Sequence, residues 1–265
     1  MIRRHLRALG RSFICEYASN VQYRAEYMLY MTAGLAPIVM MFAWRSLADA
    51  GYTGNVDRVW FAAYFLIVFA GRQLSPIWLI REMDRQVRLG QLSHHLLRPA
   101  PLYWKLVGHQ LCDNAIRLPV VLAIVLLGLW LFDAWSGIDA ERLPLFLLSL
   151  VLAILIHFHL ELTIGLTAFW TDQSWAFEDF YIIAFYLLTG FYVPLTMFPD
   201  TFQAILAWLP WRYMFGLSAE LLVGEHQSTE ILWLLGRQVF WLGVSAGLAL
   251  LLWRRGLRRF TGAGT

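Results

Sequence analysis

The chain has 265 residues, 59% of them hydrophobic, 16% aromatic and only 15% charged, with a net charge of +3 and a mean hydropathy of +0.56. A soluble domain carries about a quarter of its residues as Asp, Glu, Lys and Arg, and a water-exposed surface poorer in charge would present large apolar patches. A soluble globular protein is therefore excluded, as are disordered and coiled-coil chains; Cys15 and Cys112 are too few for a disulfide framework. The basic residues stand in blocks beside apolar runs, which suits membrane flanks and not nucleic acid.

In chain order, Ile2, Leu6, Leu9, Phe13 and Tyr17 fall on one helical face and Arg3, Arg4, Arg7 and Arg11 on the other. This pattern predicts an amphipathic helix over 1–22 lying in the headgroup plane. A spanning helix needs about 20 mostly apolar residues, and six runs qualify. The clearest lie between Glu26 and Arg45 and between Asp179 and Asp200. Residues 59–80 form a run interrupted by Arg72, 143–169 one interrupted by His157, His159 and Glu161, and 231–253 one interrupted by Arg237. The run over 106–132 starts polar, with Asp113 and Arg117, and turns apolar from Leu118.

Lys and Arg in the connections number fourteen on one side and four on the other. Cytoplasmic loops retain positive charge, so both tails and the 81–105 loop are expected in the cytoplasm. No signal peptide is expected, because the basic start leads into a mixed polar segment. The expectation is a single all-α integral membrane domain over 1–265, multi-pass in the cell membrane, with lipids as neighbours.

Two connections stand out. In REMDRQVRLGQLSHHLLRPAPLYWK, Ile80, Met83 and Val87 make an apolar stripe, while Arg81, Glu82, Asp84, Arg85 and Arg88 cover the remaining surface; Gly90 ends the helix. Such a short amphipathic helix, within a cytoplasmic region over 81–98, is able to dock into a groove of a soluble partner; an ordinary solvated loop is the other reading. The outer segment over 199–230 is too apolar for a free loop, yet is broken by Pro199 and Pro210. Short helices dipping into the outer leaflet fit it, either capping a pathway or contributing Trp208, Trp211 and Tyr213 to an aromatic belt.

Ionisable residues within spans normally face a bundle interior and have partners. Asp113 and Arg117, and His157 and Glu161, are each four apart and share a helix face. With Arg72 they make a candidate intramembrane polar network towards the cytoplasmic side, either fixing helix packing or serving substrate access. Enzyme chemistry has little footing. The only lysine is Lys105, in YWKLVG, so no P-loop is present. His157, His159 and Glu161 are the nearest approach to a metal site, but His159 points away from the other two, and no G-x-S-x-G elbow occurs.

Taken together, these residues resemble the permease subunit of ABC-2 type exporters. The sharpest piece is Gly90, Gln91, Leu92, Leu96, Leu97, Arg98 and Pro99, similar to the "G-x-L, then L-L-R-P" stretch of the small permeases; the LRRFTGAG ending is a weaker likeness. The resemblance implies a coupling helix over 81–92 and short outer helices from Pro199. It also implies a second permease, identical or different, and two copies of a separate P-loop ATPase subunit that holds ATP and Mg. A secondary transporter would show paired broken helices, which the sequence lacks; a non-transport assembly subunit is the other alternative.

Overall fold

A computed structural model describes residues 34–260, apart from 55, 76–77, 98–100, 172–173 and 225. The helix expected over 1–22 lies outside the described residues, as do the start of the first expected span and the site candidates Arg98 and Pro99.

The described residues form helices without strands. These are α1 (Ala36–Asp49), α2 (Arg58–Gln73), α3 (Leu79–Arg88), α4 (Leu92–Leu96), α5 (Leu102–Leu131), α6 (Leu143–Gly165), α7 (Trp175–Leu188), α8 (Asp200–Leu206), α9 (Phe215–Leu222) and α10 (Ser228–Leu257). Local signals set several ends. The Asp57 carboxylate accepts the Trp60 N–H at 2.8 Å and starts α2. Gln227 and Glu230 form a capping box on α10. Gly90, at φ 67°, terminates α3.

Three helical stretches among the described residues are long and apolar enough to cross a membrane: Leu102–Leu131, Ala140–Phe169 and Thr229–Leu257. At 1.5 Å per residue, each exceeds the roughly 30 Å hydrocarbon core. The other candidate runs are shorter as helices: α1 and α7 have 14 residues and α2 has 16.

Two apolar runs that read as continuous are broken. The run over 59–80 stops being helical after Gln73 and restarts at Leu79, so Leu79 and Ile80 belong to the amphipathic helix α3. The residue before a proline is disfavoured in the helical region, and Ser75–Pro76 supplies that signal; the Ser75 hydroxyl donates to the Gly71 carbonyl at 2.9 Å. The run over 179–200 breaks at Gly190, φ 82°. Backbone freed at membrane depth must find partners inside the protein. Here the Thr189 carbonyl accepts the Gly216 N–H at 2.9 Å, and the Gly190 carbonyl accepts the Tyr64 hydroxyl at 3.1 Å. A Cβ on Gly190 would collide with that hydroxyl, so the turn requires glycine.

The helix α6 is central: α10, α9 and α3 pack on it, while α1 pairs with α2 and α9 also packs on α2. Tyr64, Phe61, Phe65, Phe191 and Phe215 fill the core between α2, α6 and the α7–α9 region. In contrast, Leu122, Leu126 and Leu127 of α5 and Leu232, Trp233 and Phe240 of α10 point outward, where hydrocarbon or another apolar surface can meet them.

Candidate functional site

The amphipathic helix α3 does form, but its apolar stripe faces inward. Met83 is fully buried, with Ile80 and Val87 nearly so, and they rest on the end of α6 and the 166–169 turn. A Cβ on Gly165 of α6 would lie 2.7 Å from the Met83 Cβ and 3.1 Å from the Ile80 Cα, so the two helices meet backbone to backbone. The expectation that Ile80, Met83 and Val87 dock into a soluble partner is therefore corrected: the chain's own α6 already covers them.

What α3 and α4 present outward is different. Leu89 is 59% exposed, Leu96 46% and Leu97 86%, flanking the exposed Gln91, while Leu92 is buried and anchors α4. The charges are largely spent within the chain. Arg85 pairs with Glu82, Gln86 donates to Glu82 at 2.7 Å, and Arg88 pairs with Asp84 at 2.7 Å, at helical spacings that bring side chains together. The Arg81 Nε reaches both Glu178 carboxylate oxygens at 2.9 and 3.0 Å, tying α3 to the first turn of α7. The Ser93 hydroxyl donates to the Gly90 carbonyl at 2.6 Å and closes the turn into α4. Leu89 and Leu96 escape a reading by amphipathic periodicity, because they follow the end of the stripe. The signal that points to them is the complementary one: once Gly165 seats the stripe, the remaining leucines stay exposed among the described residues.

The intramembrane candidates fall into clusters built around the break between α2 and α3. Arg117 and Asp113, both buried, pair at 2.9 Å, and the Arg117 guanidinium donates to the Gln73 carbonyl at 3.3 Å. Gln110, one turn earlier on α5, donates to the Leu74 carbonyl at 3.2 Å and accepts the Trp78 indole N–H at 3.3 Å. The polar face of α5 thus satisfies the open carbonyls at the end of α2, where a cation is also favoured by the helix dipole.

Glu161 serves the other side of the gap. Its carboxylate accepts the Leu79 N–H at 3.3 Å, at the start of α3, where negative charge is favoured. The other oxygen lies 3.4 Å from His157 Nε2, and His157 Nδ1 is 2.6 Å from the Tyr181 hydroxyl. Arg72 stands apart. It reaches the Tyr186 hydroxyl at 3.5 Å, its guanidinium lies 5.7 Å from the Phe185 ring centre, and it makes no ion pair among the described residues.

The segment over 199–230 is built on a second set of buried polar contacts. Pro199 precedes α8, and Pro210 opens the 3-10 turn Pro210–Tyr213. Trp208 is 73% exposed and suits the belt reading, whereas Tyr213 is fully buried and Trp211 partly so. The Tyr213 hydroxyl donates to the Ala207 carbonyl at 2.6 Å and lies 3.1 Å from Arg237 Nη1, whose guanidinium is 5.5 Å from the Trp208 ring centre and 4.9 Å from that of Trp233. Arg237 is thus satisfied inside the protein. Glu220, fully buried, meets Arg212 at 2.5 Å and His226 at 3.0 Å. Burial pushes this carboxyl up, but Arg212 and His226 outweigh it and hold it below the usual carboxylate range.

Among the described residues no group of three or more His, Cys, Asp and Glu is placed to hold a metal. A comparison with curated proteins gives no match. A family model described as "ABC-2 family transporter protein" matches residues 50–264. That stretch contains α2 to α10, the α3–α4 knob and both polar clusters, and with this match the chain belongs to the ABC-2 transporter family, as a membrane protein of it.

Proposed function

We propose that the chain is the permease subunit of an ATP-driven exporter, spanning the membrane six times with both tails in the cytoplasm. Three further spans are assigned to the runs containing α1, α2 and α7, each with adjoining non-helical backbone. The fourteen-to-four partition of Lys and Arg supports the orientation. A second permease, identical or different, completes the translocation pathway, and two copies of a P-loop ATPase hold ATP and Mg; this chain holds neither.

The observation that carries this reading is the seat of α3. Its start is held by Glu161 of α6 and Gln110 of α5, its middle by Gly165 of α6, and its outer side by Glu178 of α7. A push on the knob formed by Leu89, Leu96 and Leu97 is therefore shared among three helices. Helix α2 ends at Gln73 and α3 begins at Leu79, so α3 is a separate helix that passes such a push first to the helices that seat it. Movement of the ATPase pair against the two knobs would switch the pathway from inward-open to outward-open. The aromatic, largely uncharged spans favour a lipid, glycan or hydrophobic small molecule as cargo.

The test is affinity purification of the full chain in mild detergent from its native membrane, followed by mass spectrometry. A P-loop ATPase in stoichiometric amount is expected. Repeated purification without one overturns the assignment.

A further inference from the structure

A cavity of about 330 Å³ lies where α3, the start of α5, the end of α6 and the last third of α10 converge. Its walls include Met83, Leu102, Leu106, Leu162, Ala249 and Trp253. Of the three polar side chains on its lining, His159 and Tyr103 are already engaged, His159 Nδ1 contacting the Leu155 carbonyl at 2.7 Å and His159 Nε2 the Tyr103 hydroxyl at 3.3 Å; the third, the Trp253 indole, offers a single donor. A buried water needs two to four polar partners, and apolar cavities stay dry. Its volume reaches the lower end of the range for small-molecule sites. A hydrocarbon occupant fits the lining; water does not.

The position says which hydrocarbon. Leu250 and Tyr103, both on the lining, are 49% and 36% exposed on α10 and α5, so the cavity is open to the surface at these two helices. Ala249 and Trp253 lie about 12 and 6 Å before the end of α10 at 1.5 Å per residue. Arg254, Arg255, Arg258 and Arg259 follow directly, and Lys105 adjoins Leu106. A chain inserted into the cavity leaves its headgroup level with these bases, where anionic lipid is favoured. We infer that the cavity holds one acyl chain of an anionic phospholipid drawn from the leaflet on which α10 ends, the cytoplasmic one in the orientation proposed above.

Met83 is both cavity wall and the residue that seats α3 on α6, so lipid occupancy bears on the coupling helix. That consequence rests on the proposed role of α3; the lipid site itself does not. The experiment takes the full chain in its purified native complex, reconstituted with a phosphatidylglycerol carrying a photoreactive acyl chain, or with the matching phosphatidylcholine.

Labelling is expected in the 102–106 and 246–253 peptides, at least threefold stronger with phosphatidylglycerol, and at least fivefold weaker in Ala249→Phe. Labelling of the outward 122–127 surface stays unchanged. Should Ala249→Phe fail to fold, Ala246→Phe at the rim serves, and native mass spectrometry of the unaltered complex counts retained lipid. Labelling no stronger than at 122–127, insensitivity to the filling variants, or absence of retained lipid overturns the site. Equal labelling by the two lipids overturns the anionic preference. The partner's ATPase rate is read in parallel: lipid labelling with an unaltered rate counts against the coupling role alone.

Discussion

Met83→Asp is expected to unfold the end of the bundle where α3 packs on α6 rather than to detach a partner selectively. The side chain is fully buried against Gly165 and Ile80, and an unpaired carboxylate there has no compensating contact. A loss above about 4 kcal/mol, the range reserved for such burial, would appear as loss of the monodisperse peak and of a cooperative thermal transition in detergent. Leu89→Asp with Leu97→Asp is the matched contrast. Both residues are exposed, so stability changes by no more than about 0.5 kcal/mol per site, while co-purified ATPase falls at least tenfold. An intact fold for the Met83 variant would mean that α3 is not seated on α6 as described.

Arg212→Met is expected to have a comparable effect from the other end of the molecule. It strands Glu220 in a fully buried site beside His226, and breaking a buried ion pair by removing one partner costs about 3–5 kcal/mol. The double variant Arg212→Met with Glu220→Leu removes both charges and recovers most of that loss, as replacement of whole buried pairs generally does. Equal thermal stability of the single and double variants would show that the pair contributes little.

The pH dependence has a definite sign. Because Glu220 is held below its ordinary value, its contribution is complete above the unfolded carboxylate pKa of about 4.3. It is lost as pH falls through the lower folded value. Glu220→Gln should flatten that acid limb.

Much of this architecture is legible in the amino-acid order, and the parts that are not share one cause. Hydropathy reveals apolar runs but not where the backbone stops hydrogen-bonding, so 59–80 and 179–200 read as continuous although Ser75–Pro76 and Gly190 break them. The helical spacing of Ile80, Met83 and Val87 shows that a stripe exists. It does not say which surface the stripe meets, and that choice is made by Gly165, 82 residues after Met83 in the chain.

The pairing of Asp113 with Arg117 follows from their spacing on α5. Their purpose, satisfying the open end of α2 through Gln73, depends on how α5 packs beside the break. Depth along its run is all that groups Arg72 with these charges; its surroundings are the Phe185 and Tyr186 rings. The Arg212–Glu220–His226 cluster is missed because its members are eight and six residues apart across two turns, a spacing that no helical rule brings together.

The central claim is that the knob after α3 is where the chain meets its ATPase. A photoreactive amino acid placed at position 97, the most exposed leucine of the knob, and separately at the outward position 122 of α5, tests it in intact cells. The account predicts a cross-link from position 97 to a P-loop ATPase and none from position 122. A cross-link to the ATPase from 122, or its absence from 97 in a complex that contains the ATPase, would contradict it.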